Sequence, residues 1–61
     1  MEKTTIFIPI YYNEKGNAVA FDVSFLSWRG ANDYLIRFKE YSDILCDTDI
    51  LETSIYLEIN N

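Results

Sequence analysis

The sequence predicts a small α+β fold: a single-layer three-stranded sheet in the order β-β-α-β, with one helix packed on one face. Two observations predict this class. Residues 27–45 repeat apolar side chains at helical spacing, and three other stretches alternate at the period of a strand. The chain has 61 residues, so we expect a single domain over residues 1–61, near the lower size limit for folding without a disulfide or metal.

The first predicted strand covers residues 3–13 and is apolar on both faces. Ile6, Ile8, Ile10 and Tyr12 share the even-numbered face, and Thr5, Phe7, Pro9 and Tyr11 share the odd-numbered face. We expect the even-numbered face to meet the helix. Pro9 has no N–H to donate, which favours an edge strand or a local irregularity.

A hairpin follows the first strand. Residues 13–17 form the best turn signal, because Gly16 takes a positive φ at no steric cost. The returning strand is predicted over residues 18–26. Its core face would carry Val19, Phe21, Val23 and Phe25, and its other face Ala18, Ala20, Asp22 and Ser24.

The predicted helix over residues 27–45 has a candidate N-cap at Ser27, with Asn32 as the alternative. Its apolar stripe consists of Ala31, Leu35, Phe38, Ser42 and Leu45. Residues 46–49 are then predicted to be a polar connection. The third strand would run from Leu51 nearly to the C-terminus, with Leu51, Thr53, Ile55, Leu57 and Ile59 on one face and Glu52, Ser54, Tyr56 and Glu58 on the other.

Two strand orders are open. If the third strand lies beside the first, the first strand is central; if it lies beside the second, that pair is parallel and Pro9 is at an edge. We favour the first order, with an irregularity at Pro9.

A single helix leaves one sheet face open, and we expect that face to carry Phe7, Pro9, Tyr11, Ala18, Ala20 and Tyr56 as an interface patch. The alternative is a set of single surface aromatics.

Composition excludes several classes. The net charge of −5 and five scattered Lys and Arg residues argue against direct nucleic-acid binding. Cys46 is the single cysteine and there is no histidine, which excludes an internal disulfide and an ordinary zinc site. No signal peptide and no apolar run of about 20 residues is evident, so the sequence predicts a cytoplasmic protein with no membrane contact. No nucleophile has a base partner, and we expect neither catalysis nor a cofactor.

Two stretches are candidate protein-binding sites. An acidic window consists of Glu40, Asp43, Asp47, Asp49 and Glu52, with no basic residue from Glu40 onward. It is interpreted as a solvated surface, as a surface complementary to a basic partner, or as a cation site, although it lacks the ligand series of a calcium loop. Trp28 and Arg29 are residue types enriched in binding hot spots. Alternatively, Trp28 seals the end of the core.

The sequence therefore predicts a small acidic protein-binding module. In size, charge and architecture it resembles the host-directed inhibitors of phages and other mobile elements, including anti-CRISPR and other anti-defence proteins. That resemblance implies a larger, basic or nucleic-acid-binding protein as partner, blocked by steric and electrostatic contact, with nucleic-acid mimicry as one form of this blocking. The alternative is a self-associating structural or regulatory subunit, a homodimer formed through the open sheet face or a strand edge.

Overall fold

The computed structural model describes residues 2–42 and 46–57. Four elements follow one another in the chain: β1 (Glu2–Tyr12), β2 (Ala18–Ala20), α1 (Trp28–Tyr41) and β3 (Thr48–Leu57). The strands form one antiparallel sheet in the order β2-β1-β3. The predicted α+β class is confirmed, as is the strand order with the first strand in the centre. The alternative with a parallel pair of second and third strands is wrong.

Pro9 lies in the central strand without interrupting its pairing to β3. Its carbonyl accepts a hydrogen bond from the backbone N–H of Phe21 at 3.0 Å. The N–H and C=O of one strand residue point to the same side, so the Pro9 nitrogen also faces the β2 side. The β1–β3 ladder therefore loses no donor, and it continues over ten residue pairs from Glu2–Leu57 to Tyr11–Thr48.

The second strand is much shorter than the predicted residues 18–26. Its ladder ends at Ala20, and the chain rejoins β1 only at an isolated bridge, where Phe7 and Phe25 exchange backbone hydrogen bonds of 2.8 and 2.9 Å. Four residues of the returning chain thus lie opposite two residues of β1, which is a bulge. The next pair of the ladder would need an N–H at Pro9, so the predicted irregularity at this residue is confirmed.

The other boundaries differ by smaller amounts. β1 begins and ends one residue earlier than predicted, and β3 begins at Thr48 instead of Leu51. The helix ends at Tyr41, where the Ser42 backbone turns to the extended conformation and its hydroxyl donates to the Phe38 carbonyl at 2.6 Å. The predicted positions of Leu45, Glu58 and Ile59 lie outside the described residues.

The helix start is the predicted one. The Ser27 side chain accepts a hydrogen bond from the Gly30 N–H at 3.1 Å, and Asn32 lies inside the helix. Gly30 also permits a close approach, since a Cβ there would lie 3.1 Å from the ring of Phe25. At the other turn, Gly16 has a φ of 81°, as the hairpin signal predicted.

The helix covers the odd-numbered face of β1, so the prediction that the even-numbered face meets it is wrong. The Phe38 ring lies 6.4 Å from the ring of Tyr11 and 4.8 Å from that of Phe21, measured between centroids. Tyr34 extends the cluster, at 5.4 Å from Phe21. The hairpin register explains this choice of face. Tyr11 lies opposite Val19, so odd residues pair with odd ones and share a face with them.

The resulting core is very small for a stable domain. Among the described residues only Pro9, Ala31 and Leu35 are buried. The chain has a radius of gyration of 13.6 Å, whereas a compact domain of this length has about 10.5 Å. Its accessible surface is 5101 Å², against roughly 4,100 Å² for a compact monomer of its mass. The molecule is a slab with one well-packed side.

Candidate protein-interaction surface

The side of the sheet away from the helix is apolar and has no covering element among the described residues. Opposed strand residues share a face, and the register therefore places its members together. We call this surface the uncovered face; it consists of Thr4, Ile6, Ile8, Ile10 and Tyr12 of β1, Ala18 and Ala20 of β2, and Leu51, Thr53 and Ile55 of β3. Leu51 is 49% exposed and Ile55 38% exposed. Branched aliphatic side chains thus form a strip across two adjacent strands.

A shallow recess opens on the uncovered face where β2 leaves the sheet. Its volume is about 320 Å³, and its walls are Ile6, Ile8 and residues 20–24. The bulge opposite Pro9 creates this recess, since a regular strand would have continued the ladder there. The uncovered face is therefore concave at this edge.

Acidic residues border the uncovered face. Asp22 lines the recess, Asp49 lies opposite Ile10, and Glu2 lies at the far end of β1 on the same face. All three are exposed. In the described part of the chain the basic residues lie elsewhere: Lys3 on the other face, Lys15 in the hairpin turn, and Arg29, Arg37 and Lys39 on the helix. The face therefore combines an apolar centre with a negative border.

The four described residues of the predicted acidic window do not share one face. Asp49 lies on the side of the uncovered face, whereas Glu52 lies opposite Phe7, on the side that the helix covers. Glu40 is in the last turn of the helix and Asp47 directly precedes β3, both exposed. Asp43 lies outside the described residues. A continuous acidic surface that includes both Asp49 and Glu52 would have to extend around the edge of β3.

The predicted aromatic patch is not on the open side of the sheet. Phe7 and Tyr11 are half-buried on the side of the helix, with the Tyr11 ring 5.2 Å from that of Phe21. Tyr56 lies opposite Lys3 on that same side of the sheet and is 65% exposed. Ala18 and Ala20 do lie on the uncovered face, but Pro9 does not. One face of the sheet is apolar and open, as predicted, but it is the even-numbered face of β1 and not the predicted odd-numbered face, which the helix covers.

Trp28 and Arg29 form the first turn of the helix. Trp28 is 55% exposed, so it does not seal the end of the core. Arg29 is exposed as well, and the neighbouring Leu26 is 79% exposed. These residues form a second, smaller exposed site at the helix N-terminus. Their proposed role in binding stays a prediction.

The described residues offer little for chemistry. No group of three or more acidic, cysteine or histidine residues within residues 2–42 and 46–57 has the arrangement of a metal site. Cys46 is a half-buried free thiol. Within the same residues, no helix has both the length and the apolar character needed to cross a membrane.

Sequence reasoning missed the aliphatic residues of the uncovered face, although one signal was present. The turn over residues 13–17 closes with Asn13 opposite Asn17, and this register pairs odd residues with odd residues. Since Val19 and Phe21 were predicted to face the core, their partners on the first strand had to face it too. The even-numbered isoleucines were left for the other side.

The chain matches no protein-family model, no curated protein and no solved structure.

Proposed function

We propose that this chain is a non-catalytic protein-binding module and that its binding surface is the uncovered face. One observation carries the proposal: the helix covers one side of the sheet, while the opposite side presents Ile6, Ile8, Leu51 and Ile55 without a covering element among the described residues. Contiguous apolar patches larger than a few hundred Å² are rare on monomers and mark interaction sites.

The central strand supports the same conclusion. β1 is apolar on both faces, as strands covered on both sides are. The helix covers one of these faces, which carries Pro9 and Tyr11. A binding partner would cover the other face, which carries three isoleucines of the same strand.

The identity of the partner class is a separate prediction. A basic protein would complement the border formed by Glu2, Asp22 and Asp49. The proposal that the chain is a phage-type inhibitor, which occupies a basic surface of a host protein, rests on the size and net charge of the chain. It stays a prediction.

Matched substitutions test the proposed surface. Leu51 on the uncovered face and Ile36 on the helix are almost equally exposed, at 49% and 48%. Tagged wild type, Leu51→Lys and Ile36→Lys are used as baits in the lysate of the source cells, with the untagged chain co-expressed. We expect the retained protein, including an untagged copy, to be lost from Leu51→Lys and kept on Ile36→Lys. Equal retention by both variants would place the binding surface elsewhere.

A further inference from the structure

We infer that the occupant of the uncovered face is a second copy of this chain, so that two sheets pack face to face with their helices outside. This inference rests on the proposed function, because it assigns a partner to the same surface. Three properties of the molecule support it: its breadth, the size of its core and the state of the β3 edge.

The breadth of the molecule permits a stable dimer. Its broad side measures 45 Å by 23 Å for the whole chain, about 1,000 Å² in outline, and a standard protein–protein interface would take about 800 Å² of it from each partner. The molecule is only 15 Å thick. Two such slabs in contact would form a four-layer particle, helix–sheet–sheet–helix, with the sheets about 10 Å apart.

The small core favours an occupant that is present whenever the protein folds. Within the described residues, Pro9, Ala31 and Leu35 are the buried side chains. Chains of this size that lack disulfides and metals commonly obtain the missing core by oligomerisation. A transient partner cannot supply this contribution at the time of folding. A second copy is present wherever the chain is made.

A dimer through the β3 edge is less well supported than one through the face. The backbone N–H and C=O of Asp49 point toward β1. Those of the next residue, Ile50, therefore point outward from the edge of the sheet. That N–H already donates to the Asp49 carboxylate at 2.8 Å. An approaching strand would have to displace this bond and would meet the charge of Asp49.

Sedimentation of the purified full chain at micromolar concentrations tests the inference. For wild type and Ile36→Lys, we expect a molar mass from sedimentation that is twice the chain mass of 7.2 kDa. Leu51→Lys should sediment as a monomer, with a dissociation constant raised at least tenfold, because each dimer would bury two unpaired ammonium groups. A monomeric wild type at 100 µM, or a dimer unaffected by Leu51→Lys, would overturn the inference.

A second measurement is independent of whether Leu51→Lys folds. In a dimer of mixed isotope-labelled and unlabelled wild-type chains, we expect intermolecular NOEs between the methyl groups of Ile6, Ile8, Leu51 and Ile55. NOEs confined to the edge of β3 or to the helix would contradict the face-to-face arrangement.

The two proposals fail in distinguishable ways. If wild type is monomeric but a lysate protein is captured by wild type and lost from Leu51→Lys, the second copy is excluded and the proposed surface stands. If the chain is monomeric and Leu51→Lys captures the same proteins as wild type, both proposals are wrong.

Discussion

The ring of Tyr11 in the central strand stacks on the ring of Phe38 in the helix, with centroids 6.4 Å apart and planes inclined by 27°. This contact fixes which side of the sheet the helix covers. It also decides which side chains of β1 form the candidate surface, since the side chains of a strand alternate between its two faces. Ile8 and Ile10 must then point away from the helix.

The aromatic cluster under the helix predicts energetic coupling between Phe21 and Phe38, whose rings meet edge to face at 4.8 Å. In a cycle of Phe21→Leu and Phe38→Leu, we expect a coupling free energy of about 1 kcal/mol, beyond the loss of each side chain alone. Urea unfolding at one fixed protein concentration measures it, because association would add to apparent stability. Pairing Phe21→Leu with Tyr41→Leu is the control. Tyr41 is 87% exposed, and that cycle should be additive.

The Ser27 cap predicts a loss of helix stability on truncation. Ser27→Ala removes the acceptor of the Gly30 N–H, and it should lower the free energy of unfolding by about 1 kcal/mol. Ser24→Ala is a suitable control, because Ser24 is exposed and lies outside the strands and the helix. Equal effects of the two substitutions in urea unfolding would show that the cap contributes nothing.

The hairpin turn predicts a backbone cost at Gly16. Its φ of 81° is unfavourable for a residue with a Cβ, although no atom lies within 4 Å of the Cβ position. Gly16→Ala should therefore lower the free energy of unfolding by about 1 kcal/mol through backbone strain alone. Lys15→Ala in the same turn keeps a negative φ and should change stability little. A thermal or urea unfolding curve for each variant checks this.

The Asn13 side chain predicts a further contribution to the turn. Its Oδ1 accepts hydrogen bonds from the backbone N–H groups of Lys15 and Asn17, each at 3.0 Å. Asn13→Ala should cost about 1 kcal/mol, and Asn13→Asp, which keeps the acceptor, should restore most of it. If Asn13→Asp is as unstable as Asn13→Ala in urea unfolding, these bonds are not the cause.

Neutralising the acidic border distinguishes a second copy from a basic partner. Asp22→Asn combined with Asp49→Asn removes like charges from a face-to-face dimer and should strengthen self-association, most clearly at low salt. The same variant should weaken binding to a basic protein. Glu14→Gln in the exposed hairpin turn removes a charge away from the face and is the control. Sedimentation at 50 mM and 500 mM salt measures the difference, and weaker self-association of the double variant would contradict the dimer.

The acidic-window hypothesis has its own test. Replacing Glu40, Asp43, Asp47, Asp49 and Glu52 with their amides should weaken binding to a basic partner and flatten its salt dependence. Glu52 and Asp49 lie on opposite sides of the sheet. If the uncovered face is the contact surface, we therefore expect Asp49→Asn to lower the affinity more than Glu52→Gln does. Unchanged affinity and salt response in the five-residue variant would exclude charge mimicry.

Local sequence signals were sufficient for the elements and their order. The cap at Ser27, the turn glycine at 16 and the alternation in three strands each depend on neighbouring residues, and each is present in the structure. The central position of the first strand and the irregularity at Pro9 were also predicted correctly. The extent of the second strand was not, because its length depends on a missing N–H in a different strand.

Alternation along the chain divided β1, β3 and residues 18–20 of β2 correctly into two faces, but it could not say which of two apolar faces of β1 the helix would cover. Tertiary structure decided that, through the odd-to-odd register of the hairpin and the packing of Phe38 on Tyr11 and Phe21. The physical reason is that the hydrophobic effect has no direction: both faces gain by burial, and only the pairing geometry selects one. The face not selected became the candidate site.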